Sequence, residues 1–174
     1  VMIISTNAGL WAYNLGDTIQ FTSLKPYKVI VSGRIKHFIS AFGEHVIAKE
    51  VEQAMKDAME HSDARISEFT VAPQITPEIK ELPYHEWFIE FEKEPSDMNT
   101  FALDLDKSLQ EQNSYYKDLI QGKILQQLKI TKIAEAGFQD YMKSIGKLGG
   151  QNKLPRLSND RQIASLFCRF THAR

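Results

Sequence analysis

Three short stretches of the chain carry residue types that could contact a nucleotide. The first spans residues 13–17 and contains Tyr13, Gly16 and Asp17. A carboxylate exposed at a turn can accept hydrogen bonds from both hydroxyl groups of a ribose, and a glycine beside it allows the close approach of a ligand. Tyr13 could stack on a base, although such a ring is more often simply packed. An ordinary hairpin turn is the more common reason for a Gly-Asp pair.

The second stretch spans residues 32–36 and places a glycine next to two cations. Gly33, Arg34 and Lys36 follow a β-rich beginning and precede a region with a different pattern. A flexible residue at such a junction fits a hinge, and the neighbouring cations could approach phosphate or ribose oxygens. A surface turn with two solvated cations is the alternative, and the residues alone favour it slightly.

The third stretch, residues 146–156, holds a lysine between flexible and rigid neighbours. Glycines precede Lys153 and Pro155 follows it, which predicts a lysine on a mobile loop. Such a lysine can neutralise charge that develops on a phosphate during nucleotidyl transfer. The stretch is not a P-loop, because the glycine-to-lysine spacing differs and no Ser or Thr follows the lysine. The alternative is a flexible basic loop without a ligand.

Charge is distributed unevenly along the 174 residues. From Lys143 to the end, seven Lys and Arg residues stand against one acid, which gives +6; since the whole chain carries -1, the preceding part carries -7. A basic tail on an acidic body suggests an anionic ligand, or a solvated face. We expect no nucleic-acid partner, because the tail shows no basic and aromatic platform and no groove-reading helix.

The cysteine content predicts the compartment. A single cysteine, Cys168, excludes an internal disulfide framework and favours a reducing cytoplasm. With only scattered histidines besides, no metal-binding residues are expected. No apolar run approaches the length that spans a bilayer and no signal peptide opens the chain, so no membrane association is expected.

Hydrophobic periodicity predicts an α+β fold: a small mixed sheet with helices packed on it, preceded by further β strands. The first 33 residues have a β pattern, with alternation on both sides of Gly16 and Asp17. The later segments have clear periods. They are a helix from Ala48 to Met59, a strand from Ile66 to Ile75, a strand around Trp87 with one face on the core, a helix capped by Ser96 or Asp97, a strand at Leu128–Ile130 and a helix from Phe138 to Ile145.

The β-rich beginning has no helical cover of its own. We therefore expect its partner strands to lie upstream, in a longer parent protein. Exposed apolar surface should then remain on residues 1–33, with some self-association or partial disorder there.

In their order and spacing the three stretches resemble the Gretchen Hagen 3 family of acyl-acid amido synthetases, specifically its bacterial branch. Residues 7–17 resemble the family's third nucleotide-binding motif, and residues 32–39 resemble its hinge, which the wider luciferase-like adenylating superfamily shares. Residues 149–156 resemble the lysine-proline-arginine ending that carries the C-terminal catalytic lysine. The resemblance covers roughly Val1 to Arg161.

This resemblance implies a function for each stretch. Asp17, within the motif that also holds Tyr13 and Gly16, would bind the ribose of ATP, and Arg34 would approach ribose or phosphate. Gly33 and Lys36 would form the hinge. Lys153 would contact the carboxylate and the α-phosphate oxygens. The family uses ATP and Mg²⁺ to convert a carboxylic acid to an acyl-adenylate and then transfers the acyl group to an amino acid, while the C-terminal domain rotates between the two half-reactions.

The resemblance also implies two domains and a missing partner. Residues 1–33 would be the last strands of a large N-terminal adenylation domain, and residues 34–174 the mobile C-terminal domain. The phosphate-binding loop and the acid pocket of the family lie in that large domain, so the chain alone is expected neither to adenylate nor to bind ATP tightly. Asn14 stands where the plant motif has arginine, and Trp11 stands where it has tyrosine. The alternative is a non-catalytic α+β module that binds a ligand or a partner.

Overall fold

The structure is a computed structural model that describes residues 1–34, 38–77, 81–149 and 152–167, with Gly33 and Arg34 described by their backbone alone. The strands are β1 (Ile3–Ile4), β2 (Tyr13–Asn14), β3 (Asp17–Leu24), β4 (Tyr27–Arg34), β5 (Phe38–Ile39), β6 (Val46–Ile47), β7 (Arg65–Gln74), β8 (Tyr84–Lys93) and β9 (Lys129–Ile133). The helices are α1 (Ala48–Glu60), α2 (Met98–Gln112), α3 (Ser114–Gln121), α4 (Gly137–Ser144) and α5 (Gln162–Phe167). The predicted α+β class is confirmed.

The first four strands form two antiparallel pairs, β1 with β2 and β3 with β4. The hairpin of β3 and β4 reverses at Lys25 and Pro26. The sequence had suggested an ordinary hairpin turn at Gly16 and Asp17, and this is wrong, because β2 and β3 do not pair with each other. Gly16 instead forms the bend between them, with a φ of +73° that favours glycine.

The central sheet has three strands in the order β7-β8-β9, with β7 and β8 antiparallel and β8 and β9 parallel. The C-terminal segment adds a parallel bridge between Val71 and Leu157 at the outer edge of β7. The strands predicted around Ile66–Ile75, Trp87 and Ile130 are therefore confirmed.

The sheet is covered on both faces. Trp87 and Phe88 are neighbours in β8 and point to opposite faces, yet both are fully buried. The alternation in the sequence had predicted that only one face of β8 packs on the core. This is wrong, because α4 and α5 cover the second face. Glu90 tolerates burial there because its carboxylate accepts hydrogen bonds from the backbone N–H groups of Ala136 (3.0 Å) and Phe138 (3.2 Å) at the start of α4.

The first face packs against α1 and α2. The buried residues of α1 have the helical spacing that the sequence predicted, and α2 begins after Asp97, whose side chain accepts a hydrogen bond from the N–H of Asn99 at 2.9 Å. Hydrogen bonds from Thr100 and Asn99 hold the pKa of the Asp97 carboxyl below its ordinary value. The predicted cap is thus confirmed at Asp97.

Two helices were not predicted. Only Asn113 separates α3 from α2, and its side chain caps α3 by accepting a hydrogen bond from the N–H of Tyr116 at 2.9 Å. Helix α5 lies in the basic tail, where the charge hid a short apolar run that ends at the buried Phe167. Across the described ranges, no helix is both long and apolar enough to traverse a bilayer.

Burial separates the first strands from the rest. Within residues 1–32 no residue is fully buried, whereas the core begins at Ile39. In the hairpin, Phe21 lies opposite Val29 and Ile19 opposite Val31. The centre of the Tyr27 ring lies 6.0 Å from the centre of the Phe21 ring. We call this group of residues the apolar hairpin face: Ile19, Phe21, Tyr27, Val29 and Val31. The expected exposed apolar surface is therefore present.

Candidate functional site

The β3–β4 ladder brings the first two sequence motifs together. Asp17 lies directly opposite Arg34, and Thr18 lies opposite Gly33. Ser32 donates a hydrogen bond to the Thr18 hydroxyl at 3.1 Å, which ties the two strands together beside these pairs. The ribose-binding candidate and the hinge candidate therefore share one end of the hairpin. Lys36, the other hinge candidate, lies outside the described residues.

Asn14 shapes the bend that leads into Asp17. Its side-chain oxygen accepts a hydrogen bond from the N–H of Gly16 at 2.8 Å, and the backbone oxygen of Asp17 accepts from the N–H of Met2 at 2.9 Å. Short polar side chains stabilise turns in this way. No atom lies within 4 Å of where a Cβ at Gly16 would stand, so its positive φ, rather than lack of space, selects glycine. Asn14 thus has a structural role in this bend.

Tyr13 and Trp11 present their rings to solvent. Tyr13 is 51% exposed and Trp11 is 87% exposed, so neither residue is buried in the core. Both lie in the segment between β1 and the Gly16 bend, close in sequence to Asp17. An exposed ring there is available to stack on a base or to contact a partner.

Lys153 belongs to the C-terminal segment. It is exposed and lines a cleft of about 600 Å³. The structure therefore brings Asp17, Gly33 and Arg34 together at one end of the hairpin, and it places Lys153 in this cleft. The described residues that line the cleft come from α1, β7, β8, α4 and the C-terminal segment: Glu52, Ser67, Glu68, Glu90, Phe138, Gln139, Met142, Leu148, Gly149, Asn152, Lys153, Leu154 and Arg156.

The segment that follows Lys153 is fixed to the edge of β7. The N–H of Val71 donates to the backbone oxygen of Arg156 at 3.0 Å, and the N–H of Ser158 donates to the backbone oxygen of Val71 at 2.9 Å. The Thr70 hydroxyl donates to the backbone oxygen of Pro155 at 2.7 Å. The loop that carries Lys153 therefore runs into a segment that is hydrogen-bonded to the edge of β7.

Glu44, between β5 and β6, and His85 of β8 form a buried ionisable pair that sequence reasoning missed. The Nε2 atom of His85 is 2.9 Å from a carboxylate oxygen of Glu44, and both side chains are fully buried. Burial raises the pKa of the Glu44 carboxyl, but the hydrogen bonds from His85 and from backbone N–H groups outweigh it, so the pKa lies below its ordinary value.

The cluster continues on the other side of the His85 ring. The centre of the Tyr116 ring lies 5.0 Å from the centre of the His85 ring, and the Tyr116 hydroxyl donates a hydrogen bond to Asp106 at 2.7 Å. Burial and the neighbouring Asp106 raise the pKa of the Tyr116 hydroxyl well above its ordinary value. Within the parts that the structure describes, no group of three or more His, Cys, Asp or Glu side chains could hold a metal ion.

Comparison with known proteins defines the class. The model of the GH3 family C-terminal domain matches residues 49–162, so the chain belongs to the GH3 family. Two solved structures share its fold. A GH3.15 acyl acid amido synthetase has a TM-score of 0.74 and 17% identity, covering 98% of this chain and 33% of that one. AtGH3.15 acyl acid amido synthetase in complex with 2,4-DB has a TM-score of 0.72 and 16% identity, covering 98% and 32%.

The chain thus spans about a third of the length of the solved structures that it matches. No curated protein matches it. The family assigned from the three sequence motifs is confirmed, and the bacterial branch stays a prediction.

Proposed function

We propose that the chain is the C-terminal part of an ATP-dependent acyl acid amido synthetase of the bacterial branch of the family. The observation that carries the proposal is the match to the GH3 family C-terminal domain over residues 49–162. The solved relatives of the same fold, which bear the name acyl acid amido synthetase, support it. The substrates are MgATP, a carboxylic acid and an amino acid.

The proposed reaction has two steps. An oxygen of the carboxylate attacks the α-phosphorus of MgATP, and pyrophosphate leaves, which forms the acyl-adenylate. The amine of the amino acid then attacks the acyl carbon, and AMP leaves as the amide forms. Both steps develop negative charge on oxygen, so positively charged groups near the α-phosphate accelerate them.

Asp17 holds the ribose of ATP in this proposal, with Arg34 beside it. Their opposition across the β3–β4 ladder supports a shared contact with one nucleotide, and the exposed ring of Tyr13 is available to the base. Gly16 allows the backbone to approach the ligand. Lys153 contacts the carboxylate and α-phosphate oxygens when the C-terminal domain has rotated, and its exposed position in the cleft leaves its ammonium group available for this contact.

The hinge is proposed at Gly33 and Lys36, between residues 1–33 of the N-terminal adenylation domain and residues 34–174 of the mobile domain. The absence of fully buried residues within 1–32 supports this division. The partner is then the chain's own N-terminal domain, which covers the apolar hairpin face. A module that functions alone would be expected to cover these strands itself, so the exposed face disfavours the non-catalytic alternative.

The first prediction concerns that face in the isolated chain. We expect the chain to self-associate through it, and Val31→Lys to weaken association about tenfold, since losing one buried valine contact costs about 1.5 kcal/mol. Gln20→Lys is the matched control, because Gln20 is exposed on the opposite side of the same hairpin. Sedimentation equilibrium over a range of concentrations measures the change. A monomer at every concentration would contradict the expectation.

The second prediction concerns Asp17 in the full-length parent. Asp17→Asn keeps the size of the side chain but removes the charge that strengthens hydrogen bonds to ribose. Since such bonds contribute about 1.5–3 kcal/mol, the KM for ATP should rise by about 10- to 100-fold. Steady-state kinetics with varied ATP measure this, and Thr22→Val on the same strand serves as the control. An unchanged KM would remove Asp17 from the nucleotide site.

The proposal as a whole is tested by identifying products. Purified full-length parent is incubated with ATP, Mg²⁺, and panels of carboxylic acids and amino acids, and the mixture is analysed by mass spectrometry. AMP and an amide that require both organic substrates are expected. Formation of ADP, or no nucleotide turnover with any pair, would contradict the proposal. We also propose a cytoplasmic location, consistent with the single cysteine; cell fractionation that finds the parent in a secreted or membrane fraction would refute it.

A further inference from the structure

Arg156 is held by side chains from two other elements. Its Nη1 atom bonds to a carboxylate oxygen of Glu68 and donates to the backbone oxygen of Phe69 at 3.1 Å, both on β7. Its Nε atom donates to Glu52 of α1 at 3.3 Å. The planar guanidinium can serve three acceptors at once, which an ammonium group cannot do with the same geometry.

Aromatic stacking fixes the same side chain from its flat side. The guanidinium carbon lies 4.6 Å from the centre of the Phe69 ring, and that ring stacks on the buried Trp87 at 5.6 Å with an angle of 12° between planes. A cation over an aromatic face is attracted by the ring quadrupole. Trp87, Phe69 and Arg156 therefore form a continuous stack that reaches from the core to the cleft that Lys153 lines.

The other end of the loop is built differently. After α4, the N–H groups of Gly146 and Lys147 close the helix by bonding to the oxygens of Lys143 (3.0 Å) and Met142 (2.8 Å). Gly149 then adopts a φ of +87°, and the Asn152 amide reaches its oxygen at 3.4 Å. Glycines therefore precede Lys153 in this loop, whereas hydrogen bonds to β7 hold the residues that follow it.

We propose that Arg156 is the positioning residue that sets where Lys153 stands. Three residues of chain span about 10 Å at most, so an anchor at Arg156 confines the backbone of Lys153 to a small region at the edge of β7. The inference rests on the proposed function, in that Lys153 contacts the reacting groups while Arg156 acts through it. A displacement of about 1 Å can lower a rate by about 10²-fold.

A double-mutant cycle in the full-length parent tests this. ATP–pyrophosphate exchange is measured for the wild type, Arg156→Gln, Lys153→Ala and the double variant. We expect Arg156→Gln to lower the exchange rate by about 10²-fold in the wild-type background and to lower it no further once Lys153 is alanine. A purely structural loss would reduce the rate by the same factor in both backgrounds, and that result would overturn the inference.

Arg161 supplies the matched control. It lies on the same C-terminal segment, is 28% exposed against 32% for Arg156, and bonds to Glu86 at 2.6 Å and to the oxygen of Pro73 at 3.3 Å. Arg161→Gln therefore removes a comparable ion pair farther from Lys153, and the exchange rate should be unchanged. Arg156→Lys should fall between Arg156→Gln and the wild type, because lysine keeps the charge but loses the planar fork.

A second readout does not depend on activity. Endoproteinase Lys-C cleaves after Lys153 and after Lys147, which lie on the same loop, and it does not cleave after arginine, so Arg156→Gln removes no cleavage site. In the full-length parent, Arg156→Gln should speed cleavage after Lys153 severalfold relative to cleavage after Lys147, as followed by mass spectrometry. If wild-type exchange is absent, the proposed function fails while this ratio still decides the anchoring; an equal change at both bonds would refute it.

Discussion

Lys153→Ala is expected to lower acid-dependent ATP–pyrophosphate exchange by the full-length parent by about 10²–10³-fold, the usual effect of removing one group that stabilises developing charge. The structure places Lys153 exposed on a loop whose following segment is fixed to β7. Its ammonium group would approach the α-phosphate oxygens only in the adenylating arrangement of the domains, so kcat should fall more than KM for ATP changes.

Lys147 is the matched control for this substitution. It is exposed on the same loop, and Lys147→Ala removes the same charge at a position without a proposed role. If both variants lost exchange equally, the effect would come from the net charge of the loop. If neither lost it, Lys153 would have no part in adenylation.

The largest effect on stability is expected at Glu44. Glu44→Ala leaves the buried Nε2 atom of His85 without its hydrogen-bond partner, and an unsatisfied buried group of this kind costs about 3 kcal/mol of unfolding free energy. Glu44→Gln keeps an oxygen that can accept from His85 and should cost about 1.5–3 kcal/mol, the value of a hydrogen bond to a charged group. Urea unfolding of the isolated chain at neutral pH measures both.

The same carboxylate makes stability depend on pH. Because the pKa of Glu44 is lower in the folded state than its ordinary 4.5, its contribution is present above that ordinary value and is lost as the pH falls through the folded value. Other acids also titrate there, so the informative quantity is the difference between the wild type and Glu44→Gln. This difference should shrink as the pH falls below about 4.5; a constant difference would show that Glu44 is not ionised in the folded chain.

Local sequence patterns predicted the elements that depend on contacts between residues close together in the sequence. The apolar spacing of α1, the alternation around Trp87 and the Asp97 cap each depend on residues a few positions apart. Periodicity and capping report on such neighbours directly. The motif order was likewise readable, and it gave the family correctly.

The contacts that define the site join residues far apart in the sequence. Glu44 and His85 are 41 positions apart, and Arg156 lies 88 positions from Glu68 and 104 from Glu52. No local period encodes such pairs, because they arise only when the sheet and its helices have packed. The burial of Phe88 was missed for the same reason, since the residues that cover it come from α4 and α5.

The central claim is that this chain is one part of an adenylating ligase and needs the rest of the parent to act. ATP–pyrophosphate exchange, measured side by side for the full-length parent and the isolated chain over a panel of carboxylic acids, tests it most directly. We expect acid-dependent exchange by the parent and none by the isolated chain. Exchange by the isolated chain, or none by the parent with any acid, would contradict it.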